Sequence, residues 1–114
     1  MNIIVTRPKE DGSPLKEKLE TMGHRVILMP LLRIVPRPRA FIRKLPYQAI
    51  VITSANGIRA LSGHTELKSI RMLTVGPQSM KAAKEAGFLK VEAHGDLVGL
   101  ATHIRKTLNL TAGP

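Results

Sequence analysis

The sequence contains no cysteine and no tryptophan, and its aromatic residues are one tyrosine and two phenylalanines. The absence of cysteine excludes disulfide bonds and thiolate metal ligands, and it fits the reducing cytoplasm. With so few aromatics, Ile, Leu, Val, Met and Ala must form the hydrophobic core. No apolar run approaches the roughly 20 residues of a membrane-spanning helix, and Arg7 follows Met1 too closely for a signal peptide. We therefore expect a cytoplasmic protein with no part in a membrane.

Acidic residues are also few, since 8 Asp and Glu face 18 Lys and Arg and give a net charge of +10. This imbalance favours an acidic partner, which would be nucleic acid, an anionic membrane surface or a small polyanion. The length of 114 residues suits one ordinary domain, and the apolar content of 43% argues against disorder.

Common cofactor and catalytic motifs are missing as well. The four histidines stand at no metal-ligand spacing, and no carboxylate cluster joins them, so we predict no metal site. There is no G-x-G-x-x-G motif and no Walker-type loop, which leaves nucleotide binding without support. Ser54 lacks the flanking glycines of a nucleophile elbow.

The most informative segment is IVITSANG at residues 50–57. Its apolar, β-branched start predicts a buried strand, and Thr53, Ser54 and Asn56 then end that strand in a polar turn. Ser54 is placed to cap the following helix, whose first backbone N–H groups would favour an anion. An ordinary strand-to-helix connection remains the alternative interpretation.

Strands and helices alternate along the chain. We predict strands at residues 2–5, 26–32, 49–52, 71–75 and 89–92. The first helix should begin with Ser13 as N-cap and Pro14 as its first residue, and end at Gly23. Later helices should run from Ser54 to Gly63, from the turn Gly76-Pro77-Gln78-Ser79 to Glu85, and from Asp96 to Leu108. This order predicts parallel sheets flanked by helices in a three-layer α/β/α arrangement.

Prolines and arginines interrupt the pattern after the second strand. We interpret residues 35–46 as a basic, proline-rich linker, with at most one helical turn around Phe41. The expected organisation is therefore residues 1–34, the linker 35–46, and residues 47–114. The turns at Thr6-Arg7, Ser54-Ala55 and Gly76-Pro77 each follow a strand, and open α/β sheets bind ligands at that edge.

Six short segments carry a family resemblance. They are IVTRP at residues 4–8, MPLLRI at 29–34, ITSANGIRAL at 52–61, VGPQS at 75–79, AGF at 86–88 and GLA at 99–101. By their order and spacing the chain resembles the uroporphyrinogen-III synthases over almost its whole length. It corresponds to about the first half of the family's chain, whose other half includes a tyrosine often given a catalytic role.

The resemblance implies a two-lobed α/β fold that is incomplete here, with residues 1–34 opening lobe one and residues 47–114 beginning lobe two. It implies cyclisation of hydroxymethylbilane, a linear tetrapyrrole with eight carboxylates, to uroporphyrinogen III with inversion of the last pyrrole ring. No metal or organic cofactor is implied. We expect the chain to be inactive alone, and to associate with itself or with the missing half.

By motif match, the residues implied in substrate binding lie in the three strand-end turns, while the catalytic residue is unknown. They are Thr6, Arg7, Ser54, Ala55, Asn56, Gly76, Pro77 and Ser79. Arg7, Ser54 and Ser79 could bind carboxylates, although a structural ion pair or simple helix capping would also explain them. The alternative function is a non-catalytic basic α/β module that binds RNA or another polyanion, for which the scattered basic residues give little support.

Overall fold

A computed structural model describes residues 1–37, 41–43 and 46–113. The described residues form two compact units, Met1–Pro36 and Arg37–Pro114, each with its own parallel sheet. One helix covers the first sheet and helices cover both faces of the second, which confirms the predicted α/β class. Of the basic linker, residues 38–40 and 44–45 lie outside the described residues. The helical turn predicted around Phe41 falls largely on them, so it too lies outside the part of the chain that the structure describes.

The first unit consists of β1 (Asn2–Val5), α1 (Lys9–Thr21) and β2 (Arg25–Leu28). The strands are parallel, and Ile4 pairs with Ile27. Val5 and Val26 are buried, whereas Ile4 and Ile27 are 57% and 55% exposed. Because side chains alternate between the two faces of a strand, the helix covers one face of this sheet and leaves the other open.

Helix α1 begins earlier than the sequence predicts. Pro8 is its N-cap, and the amides of Asp11 and Gly12 donate to the Pro8 carbonyl at 3.0 and 2.8 Å. The prediction of Ser13 as N-cap is therefore wrong, and Pro14 lies inside the helix. The reason is tertiary: Gly12 is buried where an added Cβ would lie 2.7 Å from Leu28 Cδ1, so glycine lets the helix approach the sheet closely.

The end of α1 follows the prediction. Gly23 has a φ of 86°, and its amide donates to the Glu20 carbonyl at 2.9 Å. The His24 amide donates to the Leu19 carbonyl at 3.2 Å, which completes a Schellman motif. Gly23 ends the helix because glycine adopts this left-handed conformation without steric penalty.

The described residues of the second unit form three strands and three α-helices. In chain order these are β3 (Ile50–Ile52), α2 (Ala55–Leu61), β4 (Met72–Val75), α3 (Gly76–Glu85), β5 (Val91–His94) and α4 (Leu97–Thr107). A short 3-10 helix at Thr65–Leu67 precedes β4 and was not predicted. The strands are all parallel in the order β3-β4-β5, so β4 is central.

Helices pack on both faces of this sheet. Ile58 of α2 and Ala83 of α3 form a buried cluster with Met72 of β4. Leu73 points to the opposite face, because neighbouring residues of a strand alternate. There α4 packs on β4 and β5, and its Leu100 is buried like Leu73. The second unit is thus the three-layer arrangement that the sequence predicts.

Three further boundaries differ from the predictions. Strand β2 ends at Leu28 rather than at residue 32, since Pro30 has no N–H to donate to a ladder. The segment Gly76-Pro77-Gln78-Ser79 is the first turn of α3 rather than a separate turn, with Pro77 near the helix start as is common. Strand β5 covers residues 91–94 rather than 89–92, because Met72 pairs with Val91 and Leu89 is 77% exposed.

Candidate functional site

One edge of the second sheet gathers most of the residues singled out by sequence. Ser54, Ala55 and Asn56 follow β3, and Gly76 and Pro77 follow β4. Since β3 and β4 are adjacent and parallel, both turns leave the sheet at the same edge. This is the edge at which open α/β sheets bind ligands.

Ser54 caps the start of helix α2, as the sequence predicts. Its backbone is extended, with φ −149° and ψ 153°, and its side chain accepts a hydrogen bond from the Gly57 amide at 3.4 Å. The residue is exposed, so its hydroxyl and the first turn of α2 are accessible. Ser79 differs, because it lies within α3 and is only 7% exposed.

A basic residue that the sequence analysis missed lies beside this edge. Arg59 is one turn further along α2 and donates a hydrogen bond from its guanidinium to the Asn56 side-chain oxygen. The spacing i, i+3 on a helix is the signal that could have indicated this contact. The contact ties Asn56, one of the predicted residues, to a cation near the turn.

The first unit presents a separate edge. Thr6 and Arg7 are exposed between β1 and α1, and the Leu31 amide donates to the Thr6 carbonyl at 3.1 Å. An open cleft of ≈ 350 Å³ lies at this end of the unit. Its lining residues are Lys9, Glu10, Pro30, Leu31, Leu32 and Arg33. Two of these are cations and one is an acid, so the cleft suits a carboxylate near an apolar group.

On the α4 face of the second sheet, the structure brings together Glu92, His94 and His103. Glu92 Oε2 lies 3.3 Å from His103 Nε2, and the rings of His94 and His103 are 4.4 Å apart between centroids. The sequence predicts that no carboxylate cluster joins the four histidines, and the structure places one carboxylate, Glu92, beside two of them. The sequence does not indicate this contact, because residues 92 and 94 share a face only if β5 covers both, and the predicted strand stops at residue 92.

Arg71 connects to the same cluster. Its Nε and one Nη donate to the two carboxylate oxygens of Glu92 at 2.5 and 3.0 Å. The same Nη lies 2.7 Å from His103 Nε2. The hydrogen bonds from Arg71 hold the pKa of the Glu92 carboxyl below its usual value, and Glu92 in turn raises the pKa of the guanidinium.

Comparison with known proteins identifies the family. The family profile described as Uroporphyrinogen-III synthase HemD matches residues 13–112. The chain belongs to the uroporphyrinogen-III synthase family. A curated relative, "Porphyrin biosynthesis protein HemD" of Ruminiclostridium josui, is 36% identical over 101 residues. The match covers 76% of this chain and 20% of the relative, so the chain spans about a fifth of the length of that protein.

Membership in the uroporphyrinogen-III synthase family confirms the resemblance drawn from the six short segments and disfavours the RNA-binding alternative. Most of the predicted site residues lie within the matched range, whereas Thr6 and Arg7 precede it. Among the described residues, no helix is both long enough and apolar enough to cross a membrane.

Proposed function

We propose that this chain provides part of a uroporphyrinogen-III synthase, which closes hydroxymethylbilane to uroporphyrinogen III with inversion of the last ring. Residues 1–34 would form the first part of one lobe, and residues 47–114 would form the first part of the second lobe. Residues 35–46 would connect the two lobes. The observation that carries the proposal is the family match over residues 13–112. The cytoplasm is the proposed compartment, consistent with the lack of cysteine.

The chemistry of the two strand-end edges supports this substrate. Hydroxymethylbilane carries eight carboxylates, and the chain has a net charge of +10. Ser54 offers a hydroxyl at the start of α2, and backbone N–H groups at a helix start favour anions. Arg7 offers an exposed guanidinium, which can bind a carboxylate through two hydrogen bonds.

The other predicted residues have supporting roles in this proposal. Gly76 has a φ of 78°, a conformation in which a side chain would be strained, so it allows the abrupt change of direction from β4 into α3. Ala55 and Pro77 would keep the starts of α2 and α3 compact. Asn56 would orient Arg59 toward the edge, whereas the buried Ser79 would act by holding α3 in place.

The reaction needs the substrate held in the conformer that permits the inverting attack, because the unassisted reaction closes the ring without inversion. A general acid for the departing hydroxyl would assist, and no described residue is assigned that role. No metal or organic cofactor enters the proposed step. We propose that the 114-residue chain binds the substrate without accelerating ring closure, since it spans about a fifth of the length of the curated relative.

The test is a binding titration combined with product analysis. We expect uroporphyrin III, a stable octacarboxylate, to bind the chain, and Arg7→Ala and Arg59→Ala each to weaken binding several-fold. Lys106→Ala is the matched control, because it removes one positive charge from the exposed end of α4 and should change the affinity little. An equal loss of affinity in all three variants would mean that binding depends only on net charge. It would contradict binding at the proposed strand-end edges.

Product analysis with hydroxymethylbilane addresses the catalytic half of the proposal. We expect the non-inverted isomer at the spontaneous rate from this chain alone. A clear excess of the inverted isomer would show that the 114 residues suffice for catalysis. Failure of the chain to alter the product ratio even after a second piece of a family member is added would count against its proposed role in the synthase.

A further inference from the structure

The cluster on the α4 face depends on the register of β5 and the packing of α4. Glu92 and His94 are two residues apart on β5, so both side chains stand on the same face of the sheet. Helix α4 packs against β5 and brings His103 over them. One candidate ligand atom from each residue lies within 4.8 Å of the other two.

His94 has a buried atom in need of a partner. Its Nε2 is shielded from solvent and has no hydrogen-bond partner among the residues that the structure describes. A buried polar atom without a partner is rare in folded proteins and costs free energy, so it calls for an explanation. A metal ion that accepts the lone pair of this nitrogen would give the atom a partner. His103 and Glu92 lie close enough to bind the same ion.

We propose that Glu92, His94 and His103 form a binding site for a divalent transition-metal ion such as Zn²⁺. Two imidazoles and one carboxylate suit Zn²⁺ or its neighbours in the first transition row rather than Mg²⁺ or Ca²⁺, which require mostly oxygen ligands. The separation of 3.3 Å between Glu92 Oε2 and His103 Nε2 equals the spacing of about 3.3 Å expected for two ligands of a tetrahedral zinc ion.

Arg71 competes with the metal for this site. Its guanidinium donates to both Glu92 oxygens and lies beside His103 Nε2, so it already supplies a cation to two of the three ligands. A metal ion can bind only when the guanidinium moves away. The Arg71 side chain is 27% exposed, which gives it a route into solvent. Metal occupancy and the ion pair between Arg71 and Glu92 therefore exclude each other.

The metal site lies on a face of the sheet that the proposed tetrapyrrole binding does not use, and it does not depend on that function. Removal of Arg71 should strengthen metal binding, which would not follow if the cluster were only a structural ion pair. The natural probe is Zn²⁺ itself, measured with the complete 114-residue chain.

The experiment is a Zn²⁺ titration against a fluorescent chelator. We expect one ion per chain, with binding about tenfold tighter in Arg71→Met than in the original sequence. Adding His94→Ala or His103→Ala to Arg71→Met removes a ligand, so it should weaken binding by at least the roughly 10- to 100-fold that follows loss of an outer-shell partner. His24→Ala and His64→Ala are matched controls that each remove one histidine outside the cluster, and neither should change the affinity.

A Co²⁺ spectrum keeps the proposal testable if a double variant does not fold. We expect Arg71→Met to give the visible absorption of tetrahedral or five-coordinate Co²⁺ with nitrogen and oxygen ligands. Absence of stoichiometric Zn²⁺ binding to folded Arg71→Met would overturn the proposed site. So would a loss of binding from His24→Ala as large as that from His103→Ala, with both substitutions made in the Arg71→Met variant.

Discussion

Arg71 and Glu92 form a two-point ion pair across the second sheet, although they lie 21 residues apart in the sequence. Arg71 immediately precedes β4, and Glu92 is the second residue of β5. Two parallel N–H···O bonds fix the guanidinium against the carboxylate more firmly than a single contact between point charges would. The pair therefore helps to hold the central strand in register with an edge strand.

Loss of this pair should reduce the stability of the second unit. We expect Arg71→Met to lower the free energy of unfolding by about 1 kcal/mol or less, because both side chains are partly solvated. Urea denaturation would measure it. Lys81→Met is the matched control: Lys81 lies 3.8 Å from Glu85, both side chains are largely exposed, and we expect no measurable change. An equal loss in both variants would contradict a specific contribution from Arg71.

The same pair makes stability depend on pH on the acid side. Hydrogen bonds from Arg71 lower the pKa of Glu92 below its ordinary value of 4.5, so the folded state binds this proton less readily than the unfolded state. The stabilisation is complete above pH 4.5 and is lost as the pH falls through the lower folded pKa. With a chelator present, the stability difference between the original sequence and Glu92→Gln should shrink below pH 4.5. A constant difference from pH 7 to pH 3 would contradict this origin.

The two side-chain helix caps of the second unit should differ in strength. Asp96 accepts from the Gly99 amide at 2.7 Å, whereas Ser54 accepts from Gly57 at 3.4 Å. We expect Asp96→Ala to cost about 1 kcal/mol, and Ser54→Ala to cost less because its hydrogen bond is longer. Thermal unfolding would rank them, and Asp96→Asn should retain most of the stability. A larger loss from Ser54→Ala would invert the expected order.

The open face of the first sheet should promote self-association of the 114-residue chain. Ile4 and Ile27 pair on that face and are each more than half exposed, and burying such a side chain gains about 1.5–3 kcal/mol. We expect sedimentation to show association that increases with salt, since salt screens the net charge of +10.

A substitution pair tests which face is responsible. Ile27→Thr should weaken the association because it removes apolar surface from the open face, while its β-branched shape keeps the strand preference. Val98→Thr changes an even more exposed apolar residue on α4 and should leave the association unchanged. A monomer at every ionic strength would contradict the prediction, because it would show that the open apolar face stays exposed to water without driving association.

Local chemistry predicted the helix ends well. The sequence predicts Ser54 as an N-cap, Asp96 as the start of the last helix and Gly23 as a helix-ending glycine, because each depends on hydrogen bonds within a few residues of itself. The start of α1 was mispredicted because it depends on a contact distant in sequence. Gly12 lets the helix lie against Leu28, and nothing within the segment 9–14 indicates that contact.

The strand-end turns could be placed from sequence, but the Glu92 cluster could not. An alternation of β and α elements is enough to put Ser54 and Gly76 at one sheet edge. The cluster requires the two-residue shift of β5, the packing of α4 and the side-chain directions of three residues. The one local indication of the cluster is the pattern Glu-x-His at residues 92–94. It places the two side chains on the same face only if the segment is a strand.

The central position of β4 has a consequence for amide hydrogen exchange. Met72, Leu73 and Thr74 are fully buried, and the strand is paired on both sides. Their amide protons can meet solvent only when β3 or β5 separates from β4, which would disrupt the core of the unit. Exchange at β4 should therefore be the slowest in the chain, and its rate would report the opening free energy of the second unit as a whole.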